Sequence, residues 1–546
     1  MVHRGFARDW TEPSKVVFLG RLDPMGLNVR VSAEVSDFDF VRFPQIRLRE
    51  APAGSARQLP HVLSGDGTLC YFVAGSVVLD RYDPGGTVVQ CLEKAEAVLR
   101  DAVRGRLDAD FAEEFYSFWD RKYALVDLPP DFAGPAKMHF LRITRDGAET
   151  PALCLDNSWM ALSHERGGSG KPASEPCLVV KSGEVLTLDP SGDWPPANLE
   201  HMNVWLAKIC PSLVGKVEAA MVKEKGPLQW LAIVAPNGFY FFRISLPRTH
   251  RTKEFLENRR KSIPRLLASI GSKVATYRTV GYRADTGYIF ERNMGQDKNL
   301  CGKKILLIGC GTIGGFLAHQ LAQSGAGAEG GSLHLVDNDS IKTANLGRHL
   351  LGVPYLLQNK AVGCRDFISE QLPMLDVQAH GVDISDFAPH LSRFDLVIDA
   401  TGEEALSIAL NQKAVDSRPN SPPFLFAWLL GNGAAAQSLI TGEPEYACFK
   451  CLKPDLSGAP RFRVLKTDTE IATERNVACG DGTYIPFPVS RSVVAASLAC
   501  EHALDWANGR ASPRFRTRTL DARRANFVKD GSPHSLAACP ACGGRA

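Results

Sequence analysis

A glycine-rich turn is followed by charged residues at spacings that suit phosphate chemistry. The turn holds Gly309, Gly311 and Gly314 in KILLIGCGTIGG, and the apolar FLAHQLAQSG comes next. A buried strand entering such a turn and a helix leaving it let backbone approach a phosphate, and the helix N-terminus favours its charge. A second apolar run, LHLV, ends at Asp337. That is about twenty residues past the last glycine, where a carboxylate for a ribose hydroxyl belongs. Asp339, Asn345, Arg348 and Lys360 follow. Hydride transfer has no use for this cation pair. Phosphoryl or nucleotidyl transfer has, because negative charge spreads over phosphate oxygens in its transition state. Arg offers a planar fork and Lys a point charge. In FDLVIDATGEEALSIALN, Asp399 ends a further buried run. Open α/β sheets bind ligands at that edge, and a carboxylate there could hold Mg²⁺ beside phosphate oxygens. A dinucleotide enzyme, or a Rossmann-like sheet with unrelated charges, is the competing reading.

The chain has 14 cysteines, too few for a disulfide scaffold at this length. Cys448 and Cys451 form one C-x-x-C pair, and Cys539 and Cys542 form another. Two such knuckles can close a tetrahedral zinc site, and four thiolates leave no open position, so the zinc would be structural. A redox C-x-x-C is the alternative. Cys479 lies in RNVACGDGTYIPFPVSRS, a glycine-rich polar loop before an apolar helix. A helix N-terminus or Arg475 would raise its thiolate fraction; otherwise it is a buried loop cysteine. Cys70 ends LPHVLSGDGTLC, shortly after His61. Cys91, Cys310 and Cys500 sit in apolar or glycine-rich surroundings and read as packing residues.

The series Asp337-x-Asp339, Asn345-x-x-Arg348, Lys360 and Asp399 resembles the ubiquitin-activating (ThiF) superfamily, which includes the adenylyltransferases of thiamine and molybdopterin synthesis. The resemblance spans roughly residues 290–546. It implies ATP-dependent adenylation of a protein's C-terminal glycine. Asp337 would bind ribose, while Asn345, Arg348 and Lys360 contact phosphates. Asp399 would hold magnesium, and Arg292, in IFERNMGQ, would touch the terminal phosphates. Cys479 would take the acyl group from AMP. Near the N-terminus, KVVFLGRL, NVRVSAEV and PQIRLRE read as strands; His61, Cys70, a helix through VVQCLEKAEAVLRDAVRGR and FAEEFYSFW follow. This pattern resembles a ubiquitin-conjugating domain with Cys70 as acceptor thiol and His61 shaping its turn. Where that family has His-Pro-Asn, this chain has Pro60-His61-Val62. The asparagine that stabilises the oxyanion is missing, so Ser64 or a backbone N–H would have to serve. A recognition-only domain with a buried strand cysteine is the alternative.

Positioning these residues calls for an α/β multidomain chain. Residues 1–134 form the conjugating-like α+β domain, 135–290 a middle α/β domain, and 291–546 the Rossmann-like adenylation domain with its zinc knuckles. The middle strands and helices carry no glycine fingerprint and read as an inactive adenylation-like partner; SHERGGSGKPASEP reads as a flexible segment, and RTHRTKEFLENRRK as a solvated helix face. The 546 residues are 45% hydrophobic and 23% charged with formal net charge +3, which gives no reason to expect nucleic acid or an anionic membrane. No run reaches the ~18 apolar residues of a membrane helix, and the N-terminus lacks an apolar signal core. A cytoplasmic homodimer is expected. The domain order resembles the fused conjugating–activating ligases of bacterial antiphage operons, notably CBASS. That implies a protein modifier with a C-terminal glycine, either a cGAS-like nucleotidyltransferase or a ubiquitin-like protein, passed through Cys479 and Cys70 to an amine of a target protein. A sulfur-carrier-protein adenylyltransferase and a non-catalytic nucleotide-binding sensor stay open.

Overall fold

The computed structural model of the chain describes all residues except 11–14, 53–56, 64, 74, 121, 130, 145, 191–193, 224–229, 246–268, 476–482 and 544–546. It divides into two compact units, Met1–Asp285 and Thr286–Ala546.

The first unit opens with an antiparallel sheet of β1 (Ala7–Asp9), β2 (Val16–Leu22), β3 (Val29–Val35) and β4 (Gln45–Leu48), in that order. Helix α1 (Pro84–Val103) covers it. Asp83 caps α1 by accepting from the Gly86 N–H at 2.9 Å, and Pro84 occupies the first turn, where its missing N–H costs nothing. Val88, Cys91, Leu92, Ala95, Leu99 and Ala102 recur at helical spacing and are buried against Val29, Val31 and Ala33. Cys91 is therefore a packing residue. Between β4 and α1 the chain is irregular, and this stretch carries Cys70.

Two short helices follow, α2 (Asp110–Glu113) and α3 (Phe115–Trp119). Beyond them, β5 (Tyr123–Asp127), β6 (Gly134–Leu141), β7 (Thr150–Cys154), β8 (Ala173–Lys181), β9 (Trp230–Ala235), β10 (Gly238–Ser245) and β11 (Ala275–Arg283) close into a barrel ordered β10-β11-β5-β7-β6-β8-β9. Alternate side chains, among them Met138, Leu153, Cys177, Trp230 and Phe241, fill its inside. The opposite set, including Tyr240 and Phe242, packs on Phe111, Phe115 and Trp119 and on Trp205 of α4 (Leu199–Ile209). This corrects two expectations. The boundary at 134 falls inside the barrel, whose β5 begins at Tyr123. Among the described residues the middle region forms this closed barrel rather than the open parallel sheet of an adenylation-like partner. Only Pro236 and Asn237 join β9 to β10, too few for a crossover, so the strands must pair antiparallel. The segment read as flexible runs straight into β8 at Ala173.

The second unit is a seven-stranded sheet ordered β14-β13-β12-β15-β16-β17-β20. Strands β12 (Lys304–Ile308), β13 (Ser332–Val336), β14 (Val377–His380), β15 (Leu396–Asp399) and β16 (Phe424–Leu430) are parallel; β17 (Ala435–Thr441) and β20 (Phe515–Thr519) continue antiparallel. Ile305 and Leu307 pack on one face with α5 (Thr312–Gln323) and α6 (Val489–Ala507), while Leu306 and Ile308 pack on the other. Burial on both faces explains why β12 is apolar without alternation. The chain leaves β12 for β13 on one side and returns to β15 on the other. Ligands bind at such a switch point, outside the C-terminal strand ends. Among the described residues no helix is long and apolar enough to cross a membrane.

Candidate active sites

At the switch point the glycines have distinct tasks. Gly309 leaves β12 with φ 85°, and a Cβ there would meet Thr401 Cγ2 at 2.7 Å. A Cβ on Gly314 would lie 1.7 Å from the Gly309 carbonyl oxygen, so α5 can approach the strand only as glycine. Gly311 caps α5, and a Cβ on it would meet nothing within 4 Å. The space beside Gly311 is open, as backbone approach by a phosphate requires. Asp337 ties the second strand end to this turn: its Oδ2 accepts from the Cys310 N–H at 2.7 Å and its Oδ1 from the Asp339 N–H at 2.8 Å. Cys310 itself is buried packing.

Lys360 starts the helix Lys360–Gln371, and its Nζ lies 2.6 Å from Asp339 Oδ2. Burial pushes the Asp339 carboxyl up, but the hydrogen bond and charge of Lys360, the Ser340 N–H and Lys342 together hold it below its ordinary value. Asn345 Oδ1 accepts from the Lys342 N–H at 2.9 Å, and the Asn345 carbonyl accepts from the Arg348 N–H at 2.9 Å. The Arg348 guanidinium lies 5.8 Å from the Tyr484 ring centre and has no carboxylate partner among the described residues. Across the sheet Ile308 pairs with Asp399, which is 1% exposed. Asp399 accepts from the Thr401 N–H and hydroxyl on Oδ1, at 3.0 and 2.7 Å, and from the Ser407 hydroxyl on Oδ2 at 2.5 Å. Burial pushes its carboxyl up. A buried carboxylate held, among the described residues, by two hydroxyls and one N–H is a donor set that a divalent cation fits. Arg292 is exposed just past Thr286–Glu291, its guanidinium 5.9 Å from the Tyr288 ring; none of its contacts joins it to Arg348 or Lys360.

Cys479 lies outside the described residues, as does Ser64. Strand β18 (Glu474–Arg475) pairs antiparallel with β19 (Thr483–Tyr484), and the Tyr484 hydroxyl donates to Glu474 at 2.7 Å. Both flanks of the Cys479 segment therefore meet beside Arg348. The thiols of Cys448, Cys451, Cys539 and Cys542 are buried and all within 4.8 Å of one another. Tetrahedral zinc with bonds of about 2.3 Å needs sulfurs about 3.8 Å apart; Cys448 lies 3.8 Å from both Cys451 and Cys539. The Asn411 amide donates to Cys448 Sγ at 3.5 Å, as a thiolate ligand would require.

In the first unit, Cys70 is exposed and shares a cavity of about 330 Å³ with His61, Lys94, Asp101 and Glu114. Its N–H donates to the His61 carbonyl at 2.7 Å. His61 has φ 61°, a conformation unfavourable for a non-glycine residue unless its surroundings hold it. Carboxylates supply that hold. Nε2 lies 2.9 Å from Asp110 Oδ2, Nδ1 2.6 Å from Glu114 Oε1, and the backbone N–H 3.3 Å from Glu114 Oε2. The Glu114 hydrogen bond, opposed by burial and helped by Asp110, raises the histidine's pKa. Burial, then the charges of Glu114 and Asp66, push the Cys70 thiol up. Asp110 and Glu114 escaped the sequence reading. Their one signal was the i, i+4 carboxylate pair in DFAEE.

Two family models match: the ThiF family over residues 289–535 and prokaryotic E2 family B over residues 9–126. The ATP-dependent ubiquitin transferase-like protein Cap2 of Pseudomonas aeruginosa is 34% identical over 532 residues, covering 96% of this chain and 94% of that protein. The chain belongs to the Cap2 family. A Cap2 from Vibrio cholerae is 26% identical over 500 residues, covering 84% of this chain and 83% of its own. A crystal structure of Escherichia coli MccB aligns over 45% of the chain and 67% of its own, at 18% identity and TM-score 0.35. Within this Cap2-family chain, His61, Cys70, Asp110 and Glu114 lie in the E2 match. The span from Arg292 to Cys479 lies in the ThiF match, and Cys539 and Cys542 lie just past its end.

Proposed function

We propose that the chain uses ATP to activate the C-terminal carboxylate of a protein modifier and conjugates it to an amine of a target protein. The observation that carries this reading is the end-to-end likeness to Cap2 proteins, whose name is ATP-dependent ubiquitin transferase-like, in a chain that joins a phosphate-suited switch point to an exposed cysteine. A carboxylate is a poor electrophile. Its oxygen attacks the ATP α-phosphorus, pyrophosphate leaves, and an acyl-adenylate forms. Asp337 binds the ribose, and Asn345, Arg348 and Lys360 hold the phosphates while charge develops on them; Arg292 reaches the terminal phosphates. Magnesium, held by Asp399, would neutralise phosphate charge. Zinc, held by Cys448, Cys451, Cys539 and Cys542, would fasten the C-terminal tail. Cys479 attacks the acyl carbon and releases AMP, Cys70 takes the acyl group by thioester exchange, and aminolysis ends in an amide. The setting that fits is a CBASS-type antiphage operon, with a cGAS-like nucleotidyltransferase or a ubiquitin-like protein as modifier and the enzyme a cytoplasmic homodimer.

A thioester trap tests the reading. The protein is mixed with Mg-ATP and the nucleotidyltransferase or ubiquitin-like protein encoded beside its gene, then run on gels with and without thiol. The expected result is a thiol-sensitive adduct that is lost in Cys479→Ala and confined to one site in Cys70→Ala. AMP release with no thiol-sensitive adduct would instead favour the sulfur-carrier adenylyltransferase.

A further inference from the structure

The conjugation site lacks the asparagine of the His-Pro-Asn pattern in ubiquitin-conjugating domains, and His61 cannot replace it as an oxyanion donor, because both ring nitrogens are already taken by Asp110 and Glu114. We infer that Glu114, steered by His61 and Asp110, is the catalytic base that binds the acceptor ammonium at Cys70 and takes its proton. This rests on the reading of Cys70 as an acyl carrier.

Charge and geometry support the assignment. An imidazolium between two carboxylates carries a net charge of −1. Around it, Asp66 comes from the turn before Cys70, and Lys94 and Asp101 come from α1. Arg47 lies 3.8 Å from Asp66 and Arg106 3.2 Å from Asp101, so the negative charge that an incoming cation meets is the clamp's own; a lysine side chain arrives as a cation, because its pKa of about 10.4 keeps it protonated near neutrality. An ammonium has no lone pair with which to attack. Each Glu114 oxygen accepts one hydrogen bond from His61 and keeps a second lone pair for the incoming N–H. The clamp also gives the proton somewhere to rest, because His61 can lean toward Asp110 as Glu114 becomes neutral.

The step balances. Glu114 takes one proton from the ammonium, and the free amine attacks the thioester carbon. As the C–N bond forms, nitrogen loses a second proton to water. The C–S bond then breaks, and Glu114 returns its proton to the departing Cys70 sulfur. The products are an amide, a Cys70 thiol and one released proton. A thiol whose pKa is pushed up accepts that proton readily.

The test bypasses ATP and the modifier. Full-length Cys479→Ser protein is loaded at Cys70 by exchange with a synthetic acetyl-Gly-Gly thioester, and the adduct is located by mass spectrometry. Discharge is then timed with free lysine and with hydroxylamine, whose amine is already unprotonated near neutrality. Glu114→Gln is expected to slow lysine discharge about 10²-fold, the usual worth of a positioned base, while hydroxylamine discharge stays at the wild-type rate. Glu114→Asp should recover part of the loss. Equal slowing of both nucleophiles, or of neither, would assign Glu114 a structural role and overturn the inference alone. A Cys70 that cannot be loaded would overturn the acyl-carrier reading, and this inference with it.

Discussion

Gly311 and Gly314 lie one helical turn apart and answer to different constraints. A Cβ at Gly314 would collide with the Gly309 carbonyl at 1.7 Å, whereas at Gly311 it meets open space. Gly314→Ala should therefore destabilise the protein by about 2 kcal/mol or more, because backbone must move to admit it. Gly311→Ala should leave stability within about 0.5 kcal/mol of wild type and still lose ATP–pyrophosphate exchange, because the methyl group occupies the phosphate's approach. Melting curves and exchange assays on the two variants separate the effects; a stable, fully active Gly311→Ala would remove the phosphate from that turn. This contrast explains what could be read from residues alone. Gly309 to Lys360 form one local series, so their spacing carried the chemistry. Glu114 lies 53 positions from His61 and Asp110 lies 49. No local pattern links them to Cys70; a chain reversal after α1 brings them there. Arg292 belongs to no such series, since a lone arginine near a motif says nothing about where its side chain goes.

Among the elements, α6 carries a buried titratable group with a measurable consequence. His502 is fully buried on that helix, and its Nδ1 lies 3.0 Å from the Ser438 hydroxyl on β17. Burial, then the charge of Arg516, pull His502 down to about 3, against partial opposition from the Ala511 backbone and Asp505. The unfolded chain binds this proton below about pH 6.5 and the folded one does not. Stability from this residue is therefore fully present above about pH 6.5 and falls as pH drops toward about 3, by up to about 1.4 kcal/mol per unit. His502→Asn should flatten the pH dependence of stability by one proton between about pH 6 and 4, measured by denaturant unfolding; an unchanged slope would show that the acid sensitivity arises elsewhere. Elements with a distinctive period, such as α1 and β12, were legible. The middle barrel was not. Strands are expected in that region, but alternation cannot tell a hairpin from a crossover. Whether such a sheet closes depends on pairings such as β11 with β5, more than 140 residues apart in sequence.

At the scale of the whole molecule, each proposed thiol brings its own local context, so the order of conjugating and activating parts could be read in advance. Their being in one chain has a kinetic consequence. When two reacting groups share a chain, the second transfer becomes first order, governed by an effective concentration that reaches millimolar values for short flexible links. Passage of the acyl group from Cys479 to Cys70 should then keep the same half-time when wild-type protein is diluted about a hundredfold, a range over which a bimolecular transfer slows in proportion. An equimolar mixture of Cys70→Ala and Cys479→Ala proteins divides the thiols between chains, and its transfer rate should rise with protein concentration. Quenched-flow gels of the pre-adenylated enzyme give both rates. If the mixture matches half the wild-type rate at every dilution, transfer runs between subunits of a stable homodimer, and the chain's fusion would serve assembly rather than a relay within one molecule.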